Sequence, residues 1–126
     1  MTIAAILILV GRVILGLFFV VAGIRNLAGF IRTADRRTPL TNYGFRLPAA
    51  IVAIGFVAQL VGGLSVTLAV LPAWGAALLI VFLVGATELF HNFLLFKDEA
   101  RLPHLYFTLV NIALCGYCLM VIGLSL

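Results

Sequence analysis

The chain of 126 residues is 65% hydrophobic and only 10% charged, with a mean hydropathy of +1.31 and a formal net charge of +4. Soluble domains carry roughly 25% charged residues, so this composition excludes a soluble globular domain and places the chain in a lipid bilayer. The basic excess does not point to nucleic acid, because it follows the membrane boundaries rather than a solvated face.

The first apolar stretch runs from about 3 to 24, long enough for the roughly 20 residues that cross a hydrocarbon core. No Lys or Arg precedes it and the charges follow it, a pattern that retains the helix in the membrane rather than marking a cleaved signal peptide. At helical spacing, Arg12, Gly16, Phe19, Gly23 and Asn26 form one stripe. The polar segment "RTADRRTPLTNYGFRLP" follows and ends in a proline suited to a helix start.

The second stretch, about 49 to 71, carries Gln59, Gly62 and Gly63 on one face. The tight turn "LPAW" leads into the third, about 73 to 95, with Pro72 as helix starter and Trp74 at interfacial depth. Read as a continuous helix, that span places Glu88, His91, Asn92 and Leu95 on one face. After "KDEARLPH", the fourth stretch, about 104 to 125, carries Thr108, Asn111, Cys115 and Cys118 along a seam. The expected fold is all-α: a transmembrane four-helix bundle forming a single domain over residues 1–126, its polar and small residues turned inward.

Arg25, Arg32, Arg36, Arg37, Arg46, Lys97 and Arg101 lie in the loops at about 25–48 and 96–104. These are seven of the eight basic residues, the eighth being Arg12. Basic loops stay cytoplasmic, so the topology is N-out/C-out, with a multi-pass chain in the bacterial cytoplasmic (inner) membrane.

A charge at the centre of a membrane helix costs about 2.5 to 3.5 kcal/mol, so Glu88 and Arg12 each call for a partner. An Arg12 to Glu88 ion pair is the first expectation and Arg25 the competitor. Arg12, Arg25, Gln59, Glu88, His91, Asn92 and Asn111 form the candidate polar site, with either a structural clamp or a ligand-binding role. Glu88-x-x-His91 has the i, i+3 spacing of di-iron bundles, but these need a second such motif and two more carboxylates, so no metal site is expected.

Cys115-Gly116-Tyr117-Cys118 matches a C-x-x-C pattern, like that of membrane thiol oxidoreductases that use quinone. Residues three apart on a regular helix have Cβ atoms about 5 to 6 Å apart, and a disulfide needs about 3.5 to 4.5 Å. Apolar surroundings also disfavour the thiolate. Packing cysteines are therefore the first reading, with a Cys115–Cys118 redox pair as the alternative.

"GRVILGLFFVVAGIRNL" at 11 to 27, "QLVGGLSVTLAVLPAWGAALLIVFLVGAT" at 59 to 87, "FHNF" at 90 to 93 and "NIALCG" at 111 to 116 resemble the DoxX family of small bacterial membrane proteins. The resemblance implies a four-helix membrane bundle. It also implies a membrane subunit supporting quinone-linked or thiol and oxidative-stress redox chemistry, with quinone as the cofactor to consider. By the same likeness Arg12, Gly23, Gly62, Gly63, His91, Asn92 and Asn111 fall on family-typical residues. Gln59 stands where many relatives have Glu, and Arg25-Asn26 where a Lys is common, as if the acid had moved to Glu88.

The expected partners are the bilayer, a redox protein on the cytoplasmic side and a second copy of the chain; nucleic acid is not among them. A small-molecule or ion carrier using Glu88 and Arg12, and a non-enzymatic scaffold using Arg32, Arg36 and Arg37, are the alternative functions. There is no P-loop or dinucleotide fingerprint, and no Ser or Cys triad can be assembled.

Overall fold

A computed structural model describes residues 1–33 and 38–126. The basic residues Arg36 and Arg37 lie outside the described residues. Four helices account for the fold: α1 (Ile3–Arg32), α2 (Ala49–Leu68), α3 (Pro72–Phe90) and α4 (Arg101–Ser125). All four spans are long and apolar enough to cross a membrane.

Helix α1 is the longest because nothing in "IAAILILVGRVILGLFFVVAGIRNLAGFIR" breaks it. Thr2 caps its start by accepting from the Ala5 amide at 3.1 Å. It continues past the expected boundary near 24 to Arg32, so Arg25 lies within the helix on an exposed face. Helix α2 ends in a three-residue turn in which Ala69 (φ 58°) and Leu71 (φ 51°) adopt left-handed backbone. The Ser65 hydroxyl stabilises that turn by donating to the Val70 carbonyl at 2.6 Å. Pro72 then starts α3, where its missing N–H costs nothing.

The helices pack in chain order, α1 on α2, α2 on α3 and α3 on α4, whereas α1 and α4 touch only slightly. Packing depends on close backbone approach. A Cβ built on Gly63 would come within 2.8 Å of the Val20 nitrogen and 3.0 Å of the Gly16 carbonyl. One built on Gly62 would meet Leu79 at 2.7 Å. Phe19, Val66, Leu79 and Cys118 are fully buried around these contacts. Without a hydrophobic drive between helices in lipid, such small-residue contacts supply the van der Waals packing that holds a bundle.

Each span buries only 17–28% of its most apolar window inside the bundle. The outward surface consists of Leu, Ile, Val and Phe side chains, which a bilayer solvates. The chain is thus a multi-pass membrane protein.

Gly63→Ala should push α1 from α2 and destabilise the protein by about 1 to 3 kcal/mol in reversible unfolding from mixed micelles. Gly116→Ala, where an added Cβ meets nothing within 4 Å, should be neutral or stabilising by up to about 1 kcal/mol. Equal effects at the two sites would contradict the packing described.

Candidate functional site

In the half of the bundle that holds the two longer loops, a cavity of about 490 Å³ opens between the helices. Each helix or its end sends one polar side chain to its wall: Asn26 from α1, Gln59 from α2, His91 at the end of α3 and Asn111 from α4. The rest is largely aromatic and aliphatic, including Phe19, Phe56, Phe82 and Phe107. Phe18, Ile51 and Val81 line it while remaining exposed on the outer face of the spans, so the cavity opens toward lipid.

The polar groups are held by one another. Asn26 donates through Nδ2 to Gln59 Oε1 at 2.9 Å, and Asn111 through Nδ2 to Thr87 Oγ1 at 2.8 Å. Thr108 donates to the carbonyls of His91 (2.7 Å) and His104 (2.9 Å). Among the described residues no buried side-chain nitrogen or oxygen lacks a partner. The Gln59 Nε2 and the Oδ1 atoms of Asn26 and Asn111, which take no protein partner, are therefore accessible, on side chains that line the cavity. They can donate to a carbonyl or accept from a hydroxyl.

His91 faces a second imidazole, that of His104. Its Nδ1 lies 3.3 Å from His104 Nδ1. Each ring also stacks on a phenyl group, His91 on Phe107 at 4.4 Å between centroids and His104 on Phe96 at 3.7 Å. One imidazole must donate and the other accept, which requires at least one neutral ring.

Glu88 belongs to a different network. Helix α3 stops at Phe90; His91 caps it with φ −132°, and Phe93–Leu95 form a separate 3₁₀ turn capped by Asn92, whose side chain accepts from the Leu94 amide. Glu88, His91, Asn92 and Leu95 are therefore not on one helical face, contrary to the expectation of a continuous span to 95. Residues 38–48 fold into a small hairpin, held by the Leu40 and Arg46 bridge and by Arg46 donating to the Thr38 carbonyl. Its tip docks on the end of α3. The Asn42 amide donates to the Leu89 carbonyl at 2.8 Å and its side chain to the Glu88 carbonyl at 3.0 Å. Tyr43 donates its hydroxyl to the Glu88 carboxylate, which also accepts from Asn92 at 3.2 Å.

The expected Arg12 to Glu88 pair does not form. Arg12 instead donates through Nη1 to the Val66 carbonyl at 2.9 Å. The carbonyls at the end of α2 need donors, and Arg12 supplies one. Val66 is near the Pro72 end of α3 and Glu88 near the other, a separation of roughly 20 Å at 1.5 Å per residue. Glu88 needs no cation because the shortened helix leaves it exposed at the membrane boundary. Arg25, the alternative partner, is exposed on α1 and does not line the cavity.

Cys115 and Cys118 are both unpaired, on an unbroken α4. Cys118 is fully buried against the core formed with Leu79 and Val121. The structure thus brings Gln59, His91 and Asn111 together around one cavity with Asn26. Arg12, Arg25, Glu88, Asn92 and the cysteines lie outside its wall. Asn42, Tyr43 and His104 were missed; the polar "TNYG" between spans and the second histidine were the available signals.

The DoxX family model matches residues 7–92, more than half of the chain. No curated protein and no solved structure matches. The match ends at Asn92, where the third span turns, so Gln59 and His91 fall inside it and Asn111 and the cysteines beyond it.

The hairpin contact with Glu88 generates a prediction outside the membrane spans. The bond to Glu88, followed by desolvation, holds the Tyr43 phenol above its ordinary value of 10.0. A raised value means that docking is favoured while the phenol is protonated: its contribution is present below pH 10.0 and is lost as pH rises through the raised value. Limited proteolysis should cut residues 38–48 faster in Tyr43→Phe and Asn42→Ala than in the wild type. Alkaline pH should accelerate cutting in the wild type but less in Tyr43→Phe. Unchanged cutting in both variants would show that the hairpin is held otherwise.

Proposed function

Since the chain belongs to the DoxX family, a family of small membrane proteins, we propose that it is a membrane subunit that holds a quinone or similar neutral carbonyl compound between its helices for a redox partner. The observation carrying this reading is the cavity on which amide groups of three helices and an imidazole converge among aromatic rings. Its volume of about 490 Å³ is within the roughly 300 to 1,000 Å³ typical of small-molecule sites.

The chemistry suits a quinone head. Gln59 Nε2 can donate to a quinone carbonyl, and the free oxygens of Asn26 and Asn111 can accept from the hydroxyls of a quinol. Phe19, Phe56, Phe82 and Phe107 offer faces and edges to a flat ring. The lipid-facing mouth admits an isoprenoid tail without passage through water. Quinone binding is preferred to thiol exchange because Cys118 is buried in the core and neither cysteine lines the cavity.

The carrier reading has less support, since Arg12 and Glu88 occupy opposite ends of the bundle and cannot alternate as partners. For topology we retain a single domain in the bacterial inner membrane with both termini outside and the basic loops cytoplasmic, facing the redox partner. On that topology, a cysteine placed at Thr2 in a chain lacking Cys115 and Cys118 is labelled by an impermeant maleimide on intact cells, and one at Asp98 is not. The reverse pattern would invert the assignment.

Protein extracted gently with its native lipid should carry quinone recoverable by organic solvent. Ala86→Phe, which fills the cavity wall, should abolish it. Gln59→Leu should weaken binding about three- to tenfold, the loss of one hydrogen bond of about 1 kcal/mol. Wild-type protein free of quinone in native lipid would overturn the reading.

A further inference from the structure

The opposite end of the bundle, which holds the termini and the α2 to α3 turn, contains a second and independent cavity. It occupies about 780 Å³ along the seam where α1 and α4 barely touch. Leu7 and Ile8 of α1 and Met120 and Leu124 of α4 form apolar walls, and Leu7, Met120 and Leu124 are exposed toward lipid. Among the described residues Arg12 is the only lining side chain with a formal charge.

Arg12 is only partly used by the protein. Its Nη1 donates to the Val66 carbonyl at 2.9 Å and more weakly to Thr67 at 3.5 Å. A guanidinium has five N–H donors and cannot shed its charge. Because no buried side-chain nitrogen lacks a partner among the described residues, the Nη2 and Nε that bond to no protein acceptor are accessible rather than sealed in the core, on a side chain that lines the cleft. They are fixed donors on a permanent cation facing an apolar, lipid-open groove.

Depth narrows the occupant. Val66 is two residues from the end of α2, so the guanidinium lies about one helical turn, roughly 5 Å, inside the turn that follows. Trp74, at the rim of the same cleft, marks the interfacial zone that tryptophan prefers. A phosphate just below the membrane surface reaches Arg12 there, with an acyl chain continuing down the groove. An arginine fork matches two phosphate oxygens at once.

We propose that this cleft binds one anionic phospholipid of the leaflet that holds the termini, its phosphate paired with Arg12 and one acyl chain lying between α1 and α4. A headgroup without its own cation is favoured, since a choline competes with Arg12 for the phosphate. The lipid closes the seam that the helices leave open and completes the charge pairing that Glu88 does not provide.

The sole tryptophan of the chain, Trp74, reports on the site directly. The full chain is reconstituted in phosphatidylcholine vesicles containing a small fraction of phosphatidylglycerol brominated on its acyl chains. Parallel vesicles carry brominated phosphatidylcholine at the same fraction. The phosphatidylglycerol should quench Trp74 more strongly, and unlabelled phosphatidylglycerol should relieve that excess quenching whereas inorganic phosphate should not. Arg12→Gln should lose the preference and Arg25→Gln, on the other half of α1, should keep it. If Arg12→Gln does not fold, the wild-type competition alone decides. Equal quenching by the two lipids, or relief by inorganic phosphate, would overturn the proposal. So would shielding of Trp74 from both lipids that disappears on dilution of protein in lipid, which would assign the cleft to a second copy of the chain.

Discussion

The glycine contacts between α1, α2 and α3 are the constraint on which the other features depend. Gly63 lies so close to Gly16 and Val20, and Gly62 so close to Leu79, that any added carbon would have to move a backbone or a core side chain. Lipid gives helices no hydrophobic reason to associate, so contacts of this kind must be tight to hold the bundle. Toward the loop-bearing end the approach relaxes. A Cβ on Gly55 would reach no nearer than 3.8 Å to Phe82, and one on Gly85 would meet nothing within 4 Å. The space left there is the amide-lined cavity. Tight packing in one region and loose packing in the other follow from where glycines lie directly against a neighbouring helix and where they do not.

The same economy explains how the polar groups are satisfied. A membrane interior offers no water to unpaired donors, so each polar side chain must find a partner in the protein or face an opening. Arg12 meets the free carbonyls at the end of α2, Asn42 meets those at the end of α3, and Thr108 bridges the end of α3 to α4. Side chains from one element thus cap the terminus of another. Atoms left over from this pairing cluster at two openings, neutral amides at one and a guanidinium at the other. The two openings therefore differ in the charge of what they can hold.

Much of this was legible in the sequence, and the misreadings share a cause. The four spans, the inward glycines and the Gln59, His91 and Asn111 faces follow from length and helical period, which the bilayer enforces strongly. The end of α3 did not follow, because "HNFLLF" is apolar enough to extend a span. Asn92 instead caps a new turn through its own side chain, an interaction that hydropathy does not register. That one boundary leaves Glu88 exposed near the helix end, takes Asn92 off the helical face and lets Glu88 do without a distant cation. Tyr43, the partner Glu88 does have, is 45 residues away in sequence, and no periodicity links a loop to a helix end.

The correction at Glu88 also changes the meaning of Gln59. If Glu88 were a displaced carboxylate, the cavity would retain an acid and favour a cation or a proton-linked ligand. It lines no wall of that cavity, and Gln59 does. An amide at 59, almost wholly buried and bonded to Asn26, costs far less to hold in an apolar wall than a carboxylate would. It also presents a donor where a carboxylate at neutral pH presents only acceptors. Only His91 among the groups named on the wall can take a charge there, and it shares a hydrogen bond with His104 that requires at least one neutral ring. On the proposed reading the cavity suits a neutral ligand bearing carbonyl oxygen, and a carboxylate placed at position 59 would change the class of molecule favoured there rather than merely the strength of its binding.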